Sequence, residues 1–386
     1  MQFIDLKAQQ TQLIDDDTTL REDIERRIKL VLDHGKYILG NEVKELEKKL
    51  AEFVGVKHCI GVSSGTDALL IALMALNIRP GDEVITTPFS FFATAETILL
   101  AGARPVFVDI EKNTYNLNPD KIEEAISRKT KAIIPVSLYG QPANFKAINL
   151  VANKYNLPVI EDGAQSFGSK HHNMRSCGLS TIGVTSFFPS KPLGGYGDGG
   201  ACFTDNDSLA NSMRQISLHG QNKRYSHSKI GLNGRIDTIQ AAILLSKLSI
   251  FDREVLLREQ IGQRYTEKLR DKGFHNTPYV EPHNNSVYAQ YTIQVESKSE
   301  IINFLNKKGI PTAVHYPSLL SDQVALNKKE GFFQKFLNRK IYKSKNLENA
   351  KNSVNKVLSL PMHPLLKTEE QDFIIDSLIE ALEKLN

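Results

Sequence analysis

Between residues 84 and 161 short apolar runs alternate with helix-spaced runs, and this alternation leaves few folds open. Residues 84–87, 106–110, 132–137 and 158–161 read as strands. Residues 91–101, 119–127 and 145–155 read as helices, the first stopped at Gly102 and the second opened by Pro119. Strand–helix alternation of this kind predicts an α/β fold with a mostly parallel central sheet flanked by helices. In such sheets ligands bind beyond the carboxyl ends of the strands. The residues at those ends are therefore the first candidates for a site.

One strand end stands out. After the apolar residues 182–188, Lys191 sits between Pro189 and Pro192 and is followed by Gly194, Gly195, Gly197, Gly199 and Gly200. The prolines forbid regular helix or central strand around the lysine, and the glycines let backbone approach whatever it reaches. A lysine taken alone is usually solvated. Buried aromatics on one side and five glycines on the other favour a fixed amine, suited to Schiff-base chemistry with a carbonyl.

The other strand ends carry Ser63, Ser64, Gly65 and Thr66; Phe89, Ser90 and Phe91; Tyr139, Gly140 and Gln141; and Glu161, Asp162, Gly163, Ala164 and Gln165. The first of these opens an apolar helix over residues 68–76. Taken alone it reads slightly better as a simple N-cap than as a phosphate cradle of free N–H groups, since Ser-Gly-Thr is short and common. Asp162 taken alone is an ordinary loop carboxylate. Together, a phosphate-type turn, aromatic rings, a carboxylate, an amide and a lysine suit pyridoxal phosphate, whose ring nitrogen needs an acid partner and whose ring needs a stacking face.

The bulk properties narrow the class. Among 386 residues, 48 basic and 44 acidic side chains leave a net charge of +4, mixed along the chain. That is no footprint for nucleic acid or a membrane surface. No run approaches the ~20 apolar residues of a membrane span, and Met1–Lys7 shows no signal pattern. Cys59 and Cys202 lie in apolar runs and Cys177 elsewhere, with no metal-ligand spacing. A soluble cytoplasmic protein without a metal is expected.

The motifs Gly61 to Leu69, Gly81 to Ile85, Phe89 to Thr94, Gly102 to Asp109, Glu161 to Gln165, the Lys191 loop, His219-Gly220, Gly231 to Asp237 and Gln240 to Leu244 resemble, nearly end to end, the DegT/DnrJ/EryC1/StrS family of pyridoxal-phosphate nucleotide-sugar aminotransferases. The resemblance implies fold type I and a homodimer with a shared active site. It implies Lys191 as the Schiff-base lysine, Asp162 as the partner of the ring nitrogen and Gln165 beside the ring hydroxyl. Phe91 becomes the stacking ring. Gly65, Thr66 and Ser186 become phosphate ligands, and Asn233 reaches the phosphate of the neighbouring subunit.

The stretch 220–227 and the Asn233 loop look similar to members acting on UDP-linked 3-keto sugars. That implies transfer from L-glutamate to C3 of a substrate such as UDP-2-acetamido-3-keto-glucuronic acid, made for surface polysaccharide. Arg235, His315, Tyr316, Arg224 and Lys36 are then substrate-contact candidates, although Arg224 and Lys36 read equally as solvated charge, and a His-Tyr pair at a strand end as a half-buried structural pair. A 4-keto-sugar aminotransferase, a sugar dehydratase and a non-catalytic regulator on the same fold stay open. Retention of Lys191 disfavours the dehydratase.

The remainder divides as a large domain over residues 1–250 and a small one over 251–386. A long helical stretch, 237–269, has Gly262 as its one strong breaker. Residues 291–295 and 313–316 read as strands, and 320–350 as a helical surface.

Overall fold

The computed structural model describes residues 1–327 and 341–385. Seven strands build the central sheet: β1 (His58–Val62), β2 (Glu83–Thr86), β3 (Arg104–Phe107), β4 (Thr130–Ile134), β5 (Ile160–Asp162), β6 (Ile182–Ser186) and β7 (Gly200–Thr204). Their spatial order is β1-β7-β6-β5-β4-β2-β3, with β5 joined to β4 through parallel bridges at Ile133–Val159 and Val136–Asp162. Strand β7 is antiparallel to both neighbours, and the other pairings are parallel. The two-residue strand Lys343–Ser344 extends the sheet beyond β3. The expected α/β architecture is present.

Helix boundaries follow local chemistry. Helix α1 (Leu20–His34) opens on a reciprocal capping box between Thr19 and Glu22 and closes on Gly35 at φ +67°. Helix α2 (Asn41–Val54) closes the same way on Gly55. Helix α3 (Gly65–Ala75) is apolar nearly all round, with Ala68, Leu69, Ile71, Ala72, Leu73 and Ala75 buried. Such a helix belongs inside the protein, and it lies against β6, β7, α4 (Ala93–Leu100) and a later helix, Asp207–Ile216. Removing one of its large side chains, as in Ile71→Ala, would cost about 2–5 kcal/mol. That packing fixes where the start of α3 points.

Three expectations are corrected. Residues 119–127 form two 3-10 turns, Pro119–Lys121 and Glu123–Ala125, instead of a helix. There Ser127 donates to the buried carboxylate of Glu83 at 2.7 Å, and its amide donates to Thr130 Oγ1 at 2.9 Å, drawing the chain into β4 before a helix can propagate. The long helical stretch is present as expected, running unbroken across Gly262 over Thr238–Asp271. A Cβ at Gly262 would stand 2.5 Å from the Tyr288 ring, so the glycine makes room for an aromatic. It costs the helix roughly 1 kcal/mol in propensity.

The strand expected at 313–316 is reduced to one bridge, Ala313–Ser359. The His315–Tyr316 peptide is cis, and the Tyr139 hydroxyl donates to the His315 carbonyl. Residues 320–350 are only partly surface: Leu320, Leu326, Ile341 and Leu347 pack with Phe89 and Phe107. Residues 328–340 of that stretch lie outside the described ones. A separate apolar cluster gathers residues from Tyr265 to Ala381, around the antiparallel strands Tyr291–Gln294 and Val357–Leu360.

Candidate active site

The carboxyl ends of β1, β2, β5 and β6 converge as the topology requires. Asp162 ends β5 almost wholly buried. Its Oδ2 accepts from Thr94 Oγ1 at 2.9 Å and its Oδ1 from the Ala164 amide at 3.2 Å. Burial pushes its pKa up; the two hydrogen bonds and the Lys191 charge oppose that shift. Lys191 lies on the turn after β6, its amide bonded to the Phe188 carbonyl at 2.8 Å. The lysine is half-buried by surface, yet its amine is desolvated enough to lower its pKa, with Asp162 partly restoring it. A carboxylate and a lysine amine thus lie close enough for each to favour the other's charge.

A second layer positions Gln165. Its Oε1 accepts from the Tyr139 amide at 2.8 Å, while its Nε2 donates to the Tyr316 hydroxyl at 2.9 Å. Burial raises the Tyr316 pKa, so that ring stays a neutral phenol. Phe91, 58 % exposed, stands 6.3 Å from the Tyr316 ring, and Phe89 packs beneath. His315 Nδ1 pairs with Ser359 Oγ at 3.0 Å. Burial, helped by the Lys191 charge, takes its pKa down to about 4, so the imidazole is neutral at physiological pH. The residues from 315–316, far along the chain, therefore meet the strand ends.

At the start of α3, Ser64 caps the helix by accepting the Asp67 amide at 3.0 Å. The backbone here is crowded: a Cβ at Gly65 would meet Ser186 Cβ at 2.7 Å, and one at Gly200 would meet the Ser64 carbonyl at 2.6 Å. Glycine at both points brings the first N–H groups of α3 against the Ser186 hydroxyl. Intrahelical carbonyls cannot reach those N–H groups, which therefore suit an anion. Capping and cradle coexist here: the Ser64 side chain serves the helix, and the N–H groups of Gly65 and Thr66 remain for a ligand.

The other candidates lie elsewhere. Arg235 bridges Val62 at the outer edge of β1, and Asn233 bridges Leu218. Asn233 is exposed, and Arg235 is half-buried with its Nε lacking a hydrogen-bond partner. Lys36 is exposed in the α1–α2 loop, which touches this segment through Tyr37 and Thr238. Arg224 is exposed on a small hairpin, its guanidinium 5.2 Å from the Tyr225 ring. Among the described residues, none of these four shares a side-chain hydrogen bond with Lys191, Asp162 or Gln165.

The amine–carboxylate pocket and anion cradle agree with the family comparison, in which a family model for these aminotransferases matches residues 18–379. The chain belongs to the DegT/DnrJ/EryC1/StrS aminotransferase family. It is 51% identical over 368 residues to a Pseudomonas aeruginosa UDP-2-acetamido-2-deoxy-3-oxo-D-glucuronate aminotransferase, covering 95% of this chain and 96% of that one. It is 42% identical to a pleiotropic regulatory protein of Geobacillus stearothermophilus, covering 94% and 95%. It is 38% identical to a UDP-N-acetyl-3-dehydro-alpha-D-glucosamine 3-aminotransferase of Acidithiobacillus ferrooxidans, covering 91% of each.

Among solved structures, a family aminotransferase from Brucella abortus superposes with a TM-score of 0.90 at 39% identity, covering 98% of both chains. The Bacillus subtilis protein NtdA, with bound cofactor PMP, superposes at 0.87 and 32% identity, covering 99% of this chain and 85% of that one. Aminotransferases of this family use pyridoxal phosphate. The pocket here fits that group: a buried acid for a ring nitrogen, an amine for its aldehyde, and a glycine-lined helix start for its phosphate.

The sequence reading missed the residues that hold the others in place. Thr94 lies three positions past Phe91, yet a lone threonine in an apolar helix carries no sign of its Asp162 bond. Tyr139 and Ser359 act through backbone geometry and tertiary contact. Glu161 alternates with Asp162 to the other face of β5. It accepts from Ser137 at 3.1 Å, Ser176 at 2.6 Å and the Cys177 amide at 2.7 Å. Burial still takes its pKa up to about 7.

Proposed function

We propose that this aminotransferase takes an amino group from L-glutamate and delivers it to C3 of a UDP-linked keto sugar such as UDP-2-acetamido-3-keto-glucuronic acid. The observation that carries this reading is the Lys191–Asp162 pair at the mouth of β5 and β6. The near full-length similarity to a relative named for that 3-oxo sugar supports the substrate. Bound pyridoxal phosphate supplies an electron sink for charge developing on the substrate carbon.

Each residue then has a task. Lys191 holds the cofactor and afterwards carries the proton to and from the substrate carbon, its lowered pKa leaving more of the amine free to act as a base. Asp162 keeps a proton on the ring nitrogen, and Thr94 keeps Asp162 aimed. Gln165 sits at the ring hydroxyl and Phe91 on the ring face. Gly65, Thr66 and Ser186 take the phosphate together with Asn233 of the partner subunit. Arg235, His315, Tyr316, Arg224 and Lys36 contact the sugar nucleotide; guanidinium pairs with diphosphate or carboxylate oxygens in a fork.

A homodimer is supported by exposed apolar side chains beside Asn233 and Lys36, among them Tyr37, Ile38 and Ile230, which is 85% exposed. Among the described residues no helix is long and apolar enough to cross a membrane. We place the enzyme in the cytoplasm, supplying amino sugars for lipopolysaccharide O-antigen. Residues 1–250 serve as the cofactor-binding domain and 251–386 as the smaller one.

Absorbance of the purified protein before and after L-glutamate tests the first half-reaction; the yellow band should fade as 2-oxoglutarate appears. The amino-loaded enzyme should then turn over a UDP-3-keto sugar at least tenfold faster than a dTDP-4-keto sugar. The reverse preference would overturn the C3 assignment. The resemblance to a regulatory protein gives a second reading, a cofactor-binding regulator. A yellow protein inert to every amino donor would favour it.

A further inference from the structure

The strand-end pocket leaves one cluster of ligating side chains unused. Residues Lys170–Arg175 form a short hairpin, and Asn284–Asn285 pairs with its first strand in a small three-stranded sheet apart from the central one. That pairing brings His171 and His172 against His283. One ring nitrogen from each lies within 4.8 Å of the others. His171 is buried, His283 half-buried and His172 exposed.

We propose that His171, His172 and His283 form a three-histidine site for a divalent transition-metal ion of the zinc type, clamping the 170–175 hairpin to the segment after Glu281. Imidazole nitrogens suit zinc, nickel and copper above calcium or magnesium. The second shell matches a ligand histidine: His171 Nδ1 faces Asn284 Oδ1 at 2.8 Å, which holds the proton there and leaves Nε2 the acceptor. That Nε2 receives only a long 3.3 Å bond from the Lys146 amide, which an ion would displace. His283 Nε2 is buried and lacks a hydrogen-bond partner.

Charges of both signs lie nearby: the half-buried Glu111, with Glu281 beside it, near His283, and Lys146 near His171. His172 must rearrange, since it stacks flat on His283 with centroids 4.5 Å apart and planes 4° apart. An ion lies in the plane of each ligand ring, so the exposed His172 ring turns to meet it, and water completes the fourth position of a tetrahedral site. Binding would thereby tie down the segment that Asn284 and Gln141 already fasten through a 3.3 Å contact.

Titration of the untagged, cofactor-loaded protein with zinc chloride, followed by calorimetry, tests this. One equivalent should bind per chain with micromolar or tighter affinity, and melting temperature should rise with zinc. Cobalt(II) in place of zinc should give the intense visible bands of a tetrahedral site. His172→Asn, which keeps a residue type suited to the left-handed φ of 46° there, and His283→Gln should each weaken binding at least tenfold while the cofactor spectrum stays unchanged. No stoichiometric binding to the parent, or affinity unchanged in both variants, would overturn the site.

Discussion

The candidate residues fall into two regions built on opposite terms. Around Lys191 and Asp162 the chain completes its own geometry: Thr94 and the Ala164 amide hold the carboxylate, and Tyr139 and Tyr316 hold Gln165. Arg235 beside β1 keeps an unpartnered Nε, while Asn233, Lys36 and Arg224 are exposed on neighbouring loops and a hairpin. The first region is buried enough to shift the pKa values of Asp162, Lys191 and His315. In the second, these side chains form no such network among the described residues. A residue whose partners lie in its own chain can be given a task from that chain; for the others a shared dimer site is the proposal to be tested.

The largest effect should come from Lys191→Ala, which removes the amine that anchors and moves the proton. Transamination should fall by about 10³-fold or more, and a rate within tenfold of the parent would remove Lys191 from the chemistry. Asp162→Ala comes next, with a loss of about 10²-fold and weaker cofactor retention, since the ring nitrogen loses its charged partner. Thr94→Val sharpens the claim that the first region positions itself. Losing a hydrogen bond to a charged group costs about 1.5–3 kcal/mol, so turnover should fall about tenfold or more while glutamate KM changes little.

The second region is tested by mixing. Lys191→Ala and Asn233→Ala subunits, each inactive alone, should regain up to roughly a quarter of parental activity in random dimers if sites are shared. No recovery in verified mixed dimers would place Asn233 outside its neighbour's site. The smallest effect concerns Glu161. Its folded pKa is about 7 against an ordinary 4.5, so the folded state holds a proton that the unfolded state has released. Stability therefore falls as pH rises from about 4.5 through 7, by roughly 3 kcal/mol at most. Glu161→Gln should flatten that slope in melts from pH 5 to 8; an unchanged slope would show the carboxyl is ionised throughout.

Much of the fold was legible because it rests on local periodicity. The alternation over residues 84–161 and the apolar run of α3 state their own partners: strands need flanking layers, and an apolar helix needs a core. Lys191, Asp162, Gln165 and Gly65 were legible as candidates because β/α topology sends strand ends to one side. The turns at 119–127 were not, since Ser127 is captured by Glu83, a residue distant in sequence. The role of Gly262 was hidden for the same reason, lying in the Tyr288 ring across the helix.

The order of residues along the chain thus determined the layered sheet, the family and the candidate amine and acid, all properties of short motifs and their periods. Tertiary structure alone decided what orients them: Thr94 under Asp162, Tyr316 on Gln165, Ser359 on His315 and His283 against His171. Those contacts join residues from separate elements, and hydrogen bonding acts over about 3 Å whatever the sequence distance. Periodicity announces an element's own face, but the side chain that will meet that face is chosen only when the layers close.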